Sequence, residues 1–428
     1  MNQFNISLWG DEGWAAAIAV KPLWQIVTIV SRDTSPPLYY LLLHLWIKVF
    51  GTSEIAIRSL SFLFFLLTAL TVYLIGKHWW NKKTGLIAAL LVALNPFLFS
   101  YAFEGRMYAL LGLTTSLSIY FFLKKSILGF ILATTAAMYT HHFAIFIVFW
   151  EFLWTIKKSY GEKWQNLTKS LIPFVIIGSL YLPWLYPLYY QTSLVGSGFW
   201  LGKPVLLDLL GTTIKFLVGT QKNIYANIAF AALIVGFLLR RWNQQFNKTL
   251  FLTGWFFSPL VLTFLISQKF QSIFYDRYLL IVIPAAAIIV ASQRRQLSFV
   301  FLTIVILLTA VLDYNYFTHP TKKPFREYAN YIKQKAVGIP LINYNGRAHH
   351  LWESKYYGLD APIYAPKPLP FYTGTALMSS EDTTQQLPDA PTIGIVGSTP
   401  PEEVTLPGYQ ITEEKHFDSL YFLWANKE

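Results

Sequence analysis

Cysteine is absent from the 428 residues, so no disulfide, thiolate metal site or redox thiol can be built from this chain. Charge is scarce as well. Asp, Glu, Lys and Arg make up 13% of the residues, about half the share of a soluble globular protein. With 54% hydrophobic and 18% aromatic residues, that scarcity excludes an ordinary cytosolic enzyme and excludes disorder. A membrane protein with many spans remains. The sequence shows no internal repeat, and no glycine-rich nucleotide fingerprint precedes a helix. Met1 to Trp9 has neither the basic n-region nor the apolar core of a signal peptide.

What is present is a basic excess, and its placement matters more than its size. The net charge of +12 resembles a nucleic-acid signal, but residues 1–313 carry 24 Lys+Arg against 10 Asp+Glu, while residues 314–428 carry 10 against 12. The excess thus lies in the apolar part, where loop charge sets orientation, and no nucleic-acid partner is expected. Hydropathy predicts ten spans, at about 57–76, 85–101, 106–123, 127–140, 143–156, 169–188, 224–240, 249–267, 278–292 and 297–313. Several are shorter than the roughly 20 residues that cross the hydrocarbon core, so either these bounds are tight or the bilayer is thinned locally. Alternate loops hold 14 cations, from Lys77 to Arg295, against the single acid Glu162. By the positive-inside rule these loops face the cytoplasm. Eight of the ten acids of the membrane part then fall on the outer side, with Glu151 inside a span. Chemistry on the outer face is a candidate reason for that skew.

The expected architecture is an α-helical polytopic membrane protein with outer juxtamembrane helices and a small C-terminal α/β extracytoplasmic domain. Residues 1–56 form an outer loop, 57–313 the transmembrane domain of about ten helices and 314–428 the outer α/β domain. Leu38 to Phe50, after Pro36-Pro37, is too short to span and suits an interfacial helix. Residues 14–30 are similar but interrupted at Lys21-Pro22, and the stretch from Val205 to Leu210 reads as another surface-lying helix. Beyond Asp313, Lys323 to Lys335 is amphipathic, and Ile339–Asn343, Thr392–Val396 and Leu420–Trp424 read as short strands.

Five constellations fall on the outer face. Asp11-Glu12 sits between Trp9 and Trp14, and a carboxylate at the interface can act as general base for a hydroxyl; the plainer reading is a wet loop anchored by tryptophan. Arg32 to Tyr40 is followed by His44, Glu54 and Arg58, where Glu54 and Arg58 are spaced for an i,i+4 pair. Tyr101 to Tyr108 contains Glu104 and Arg106; it reads as snorkelling ends in an aromatic belt or as a functional charged turn. His141-His142 lacks the spacing of helical metal ligands, so interfacial hydrogen bonding is favoured over a metal. Tyr275-Asp276-Arg277-Tyr278 opens a span, and Arg277 either anchors it or holds an anion.

The run SLWGDEGW, then DTSPPLYYLLLHLWIKVFGTSEIAIRSLS, the block GKHWWNKKTGLIAALLVALNPFLFSYAFEGRMYALL, YTHHF and later DRYLL resembles the GT-C superfamily of membrane glycosyltransferases. Within it the pattern is similar to protein O-mannosyltransferases and lipid A aminoarabinose transferases. The first 145 or so residues carry most of the resemblance, and beyond 150 only DRYLL and KPFREYANYI continue it. The resemblance implies sugar transfer, hexosyl or pentosyl, from a polyprenyl-phosphate donor to an acceptor glycan, lipid or protein on the outer face. It assigns Asp11 as base, with Glu12 positioning acceptor or sugar. It matches Glu104, Arg106 and Tyr108 to the Glu-x-Arg-x-Tyr turn and Arg277 to a late Arg-Tyr. Arg58 and His141 complete the candidate set for donor phosphate or substrate. No metal and no cofactor are expected, the lipid-linked sugar being a substrate. Location in a bacterial plasma membrane follows, with the C-terminal domain outside and membrane lipids as partners. Family members carry a transmembrane helix ahead of the Asp-Glu loop; here ten residues precede Asp11, so a missing upstream helix is expected. Rival readings are a lipid or glycan transporter or flippase, and an inactive scaffold that binds polyprenyl lipid.

Overall fold

A computed structural model describes residues 1–159, 164–219, 224–228, 246–292, 299–371 and 374–428. The chain divides into two compact units. One combines Met1–Asp33, Tyr40–Ile57 and His319–Glu428; the other combines Thr34–Tyr39 and Arg58–Thr318.

The first unit joins the two ends of the chain. Helix α1, Gly10–Ala19, stops at Lys21-Pro22, and α2, Leu23–Val30, begins after Pro22. Proline has no N–H to extend the first helix and sets φ for the start of the next. Helix α3, Leu38–Phe50, matches the expected interfacial helix, and Gly51 ends it at φ 80°, the left-handed conformation in which glycine carries no Cβ penalty. Its apolar residues Leu45, Val49 and Phe50 remain exposed, as do Leu23, Trp24 and Val27 of α2.

The C-terminal part of this unit is a helix, Phe325–Lys335, on a six-stranded sheet. The strands are β1 (Leu341–Tyr344), β2 (Ile363–Tyr364), β3 (Thr383–Thr384), β4 (Thr392–Gly397), β5 (Tyr409–Phe417) and β6 (Leu420–Lys427). Their order is β3-β2-β1-β4-β6-β5, with β1 to β4 parallel neighbours and β6 antiparallel to both β4 and β5. Side chains alternate between faces. Val396, Leu420 and Phe422 pack under Phe325, Tyr328 and Ile332 of the helix. Ile393, Ile395, Leu423 and Ala425 build a second layer with Ile342. The three strands and the amphipathic helix expected here are present, and β2, β3 and β5 are additional.

The second unit is helical. Its membrane-type elements include α4 (Glu54–Trp79), α5 (Lys82–Ala93), α6 (Pro96–Ala102), α7 (Tyr108–Leu123), α8 (Ile127–Thr140), α9 (Ala144–Ser159), α10 (Trp164–Tyr181), α11 (Leu185–Gly196) and α12 (Leu206–Val218). Helices Phe246–Lys269, Ile283–Ser292 and Phe299–Thr318 follow. The expected span 85–101 is bent by 66° between α5 and α6. Pro96 occupies the first turn of α6, and Asn95 caps it by accepting from Leu98 N at 2.9 Å while donating to Phe216 O at 2.7 Å. Most of the expected span 224–240 lies outside the described residues.

Among the described residues, three helices are long and apolar enough to cross a membrane: Glu54–Trp79, Leu167–Gly196 and Phe246–Lys269. Counting the bent pair as one span makes four. The others are short. Helix α7 has 16 residues and α8 has 14, which rise about 24 and about 21 Å, less than the roughly 30 Å of a hydrocarbon core. Two glycines let α4 and α5 touch: a Cβ on Gly85 would stand 2.5 Å from the Tyr73 carbonyl oxygen, and one on Gly76 would stand 2.8 Å from Gly85 Cα.

Candidate active site

Asp11 and Glu12 lie in the first turn of α1, where the exposed N–H groups of a helix start favour carboxylates. Their surroundings differ. Asp11 is half-buried, whereas Glu12 is fully buried. The Glu12 Oε2 accepts from Lys322 Nζ at 2.9 Å and from Trp9 N at 3.4 Å, so this carboxylate closes the start of the helix on itself.

The floor beneath α1 comes from the far end of the chain. A Cβ on Gly13 would lie 2.9 Å from the backbone carbon of Trp352, so only glycine permits this approach to helix Leu351–Tyr356. At Gly10 a Cβ would meet the Glu353 carboxylate at 3.5 Å, and Glu353 Oε1 in turn lies 3.1 Å from His350 Nδ1. Arg326 holds the segment leading into α1. Its backbone N donates to Ser7 Oγ at 3.0 Å, and its guanidinium donates to Asn5 O at 2.8 Å and to Glu54 Oε1 at 2.7 and 3.0 Å. Tyr357 accepts from Leu8 N and donates to Glu54 Oε1, both at 2.9 Å. Burial, and then the charge of Glu54, raises the Tyr357 phenol above its ordinary pKa, so it stays a donor. Glu54 therefore finds its cation in Arg326, 272 positions away, where the i,i+4 spacing pointed to Arg58.

The second unit gathers most of the remaining candidates. A cavity of about 250 Å³ is lined by the polar residues Arg106, His141, His142, Gln191, Ser272 and Tyr278. Its lining also includes the apolar Phe143, Ile145, Phe146, Leu188, Val195 and Leu201. Arg277 sits in a box of tyrosines, its guanidinium 4.5 Å from the Tyr275 ring centre, 5.6 Å from Tyr108 and 5.8 Å from Tyr278. The His141 ring is 4.7 Å from that of Tyr278. Arg106, Tyr108, His141 and Arg277 are thus brought into one neighbourhood. Glu104 adjoins them through its carbonyl, which accepts from Arg106 N at 2.7 Å. Arg58 is completely buried in α4; one turn on, Ser61 donates to Arg106 O at 3.4 Å.

Both histidines lie in the turn between α8 and α9 and are neutral. Burial, followed by the charges of His142, Arg106 and Arg277, holds His141 well below the usual imidazole range. Its Nδ1 accepts from Phe143 N at 3.2 Å, which leaves the proton on Nε2. Burial brings His142 down to about 4, against the hydrogen bond it donates to Gln191 Oε1, which raises it. His142 Nε2 is 2.7 Å from Gln191 Oε1 and its Nδ1 is 3.2 Å from Tyr181 Oη, while Gln191 Nε2 reaches Ser35 O at 3.3 Å. Among the described residues, no group of three or more His, Asp or Glu could hold a metal ion.

Gln191 was not among the candidates drawn from sequence, and Tyr275 and Tyr278 stood in the fifth constellation without a role of their own. Tyr275 and Tyr278 flank Asp276-Arg277, and their aromatic spacing about an arginine was the available signal. Gln191 had none, because it is one polar residue in a run of loop-like composition.

Residues 34–187 match the model of the dolichyl-phosphate-mannose-protein mannosyltransferase family. No protein of curated function matches the sequence. Among solved structures, the chain is similar to ArnT from Cupriavidus metallidurans bound to undecaprenyl phosphate, with TM-score 0.69 and 15% identity over 99% of this chain and 95% of that one. The same transferase in the apo state gives TM-score 0.60 and 15% identity, over 99% and 94%. The matched stretch contains Glu104, Arg106, Tyr108 and His141, while Asp11 and Arg277 stand outside it. Residues 34–187 therefore carry the mannosyltransferase family pattern and the chain as a whole takes the ArnT fold, so that its resemblance is to the GT-C membrane glycosyltransferases.

Proposed function

We propose that this protein transfers a sugar from a polyprenyl-phosphate donor to an acceptor hydroxyl outside the cytoplasm. The observation that carries the reading is the cavity of the second unit, whose lining divides between the polar Arg106, His141 and Tyr278 and aliphatic and phenylalanine side chains. A polyprenyl phosphate has the same division, an anionic head on an apolar chain. The ArnT structure with a bound undecaprenyl phosphate supports the same ligand class here.

The reaction is a single displacement that inverts the anomeric carbon. The acceptor oxygen attacks that carbon as Asp11 takes the hydroxyl proton. The bond from the anomeric carbon to the phosphate oxygen breaks, and both bonding electrons leave with the polyprenyl phosphate. Arg106 and Arg277 stabilise the charge that gathers on the departing phosphate, in surroundings that exclude water. The His141 Nε2–H supplies a neutral donor there. Glu12, Arg326 and Glu54 keep the Asp11 segment in place. No metal is required, and the acceptor is handled by the first unit. The enzyme works in the plasma membrane with that unit on the outer face.

A binding comparison tests the donor class. Undecaprenyl phosphate, titrated into the detergent-solubilised protein, is expected to bind at least tenfold more tightly than undecaprenol. Arg277→Ala and Arg106→Ala should each erase the difference. Equal binding of alcohol and phosphate, or a preference that survives both substitutions, overturns the assignment of the cavity. A transporter reading draws on fully buried Glu151, whose Oε1 accepts from Ser118 Oγ at 2.8 Å inside the helical unit. It requires flux of the lipid without sugar transfer.

A further inference from the structure

The first unit contains a second cavity, of about 640 Å³, between the C-terminal half of α1, the end of α3 and helix Leu351–Tyr356. The proposed chemistry does not use it. Val20, which lines it, lies nine residues beyond Asp11 at the C-cap of α1, still in helical conformation. At about 100° per residue that is roughly 180° around the helix axis, so the cavity opens on the side away from the proposed base.

Its lining is rich in donors. Lys21 and Lys355 contribute ammonium groups, and Lys21 is exposed and meets no acidic partner among the described residues. Lys355 is paired with Asp382, which leaves one net positive charge at the site. The Trp352 indole adds ring surface to the lining, its N–H being buried against Gly374. Ser53 Oγ already accepts from Ala56 N at 3.2 Å, so its proton is available to donate. Tyr356 gives its proton to Thr52 O at 2.7 Å and offers an acceptor. The remaining surface is aliphatic, from Ala16, Val20 and Ile47 among others. Clustered donors with one excess cation suit oxygen-rich anions, and the aliphatic patches suit the apolar faces of pyranose rings. The volume lies within the range of roughly 300–1,000 Å³ typical of ligand sites.

We infer that this cavity is a binding site for an acidic saccharide, a chain of pyranose rings bearing a carboxylate or phosphate, held away from the reacting hydroxyl. The inference rests on the glycosyltransferase reading for its biological setting, but the binding stands independently of transfer. The ligand is either a soluble acidic glycan or the headgroup of an acidic glycolipid.

The test is calorimetric titration of the full chain in nanodiscs with trigalacturonate, maltotriose and inorganic phosphate. Trigalacturonate is expected to bind at least tenfold more tightly than the other two. Lys21→Glu and Ala17→Phe, which reverse the exposed charge and fill the cavity, should each weaken it at least tenfold. Asp11→Asn should leave it unchanged. Repeating the titration in nanodiscs that contain an acidic glycolipid separates the two sources, since a headgroup ligand competes with the trisaccharide and a soluble glycan does not. Equal binding of maltotriose or of phosphate, or binding indifferent to both cavity variants, overturns the inference. Binding as expected with no sugar transfer by any form overturns the glycosyltransferase reading and leaves the site standing. Transfer without trigalacturonate binding does the reverse.

Discussion

Asp11 and Glu12 are neighbours on one turn of helix in different surroundings. Glu12 is closed in by Lys322 and the Trp9 N–H, so it cannot exchange protons with an incoming acceptor while keeping both bonds. Half-buried Asp11 can be reached. Glu12→Gln is therefore expected to lower stability by about 1–3 kcal/mol, read as an earlier unfolding midpoint in detergent, with substrate KM little changed in the protein that remains folded. A fully stable Glu12→Gln protein would show that the Lys322 pair carries no structural weight. His142 predicts a pH effect. In the unfolded chain its imidazole titrates at about 6.5; in the folded protein burial lowers it to about 4. Between those values the unfolded state binds more protons, so stability rises with pH and is lost as pH falls from about 6.5 towards 4. The unfolding midpoint should drop between pH 7 and pH 5, and His142→Gln should narrow the drop. An equal drop in both proteins contradicts the assignment.

At the scale of elements, the contact of α4 with α5 is set by absent side chains. Gly85 lies against the Tyr73 carbonyl with no room for a Cβ, so Gly85→Leu should separate the two helices and cost about 1–3 kcal/mol or more. The expected readout is loss of monodisperse protein on gel filtration, and normal behaviour would contradict the close approach. Helix α3 was legible to the residue because Pro36-Pro37 and Gly51 punctuate an apolar run. The break between α5 and α6 was not read, although Asn95-Pro96 stands in the sequence, because the apolar residues on both sides continue the hydropathy of one span. The charged motifs of the second unit were legible and do assemble, since charge in an apolar stretch is rare and therefore conspicuous. The Glu54–Arg326–Tyr357 network was hidden because Glu54 lies 272 and 303 positions from its two partners and each looks ordinary where it stands. Glu54 even has a closer cation at helical spacing in Arg58.

At the scale of the whole molecule, both chain ends build one unit that holds the six-stranded sheet, and the basic loops fall in the helical part between them. With no native cysteine, the chain is suited to single-cysteine labelling. Lys367→Cys and Lys83→Cys place thiols at exposed positions. In intact cells a membrane-impermeant maleimide should label the first and spare the second; the opposite pattern reverses the orientation. Transfer should be unchanged by a chelator, and loss of activity restored by a divalent ion contradicts the metal-free mechanism. The most direct measurement is transfer from a panel of radiolabelled polyprenyl-phosphate sugars in membranes. It compares the chain, the chain extended by its upstream codons, and the Asp11→Asn form of each. Transfer with at least one donor that falls at least a thousandfold in Asp11→Asn is the predicted result. Transfer that is indifferent to Asp11→Asn would contradict the account.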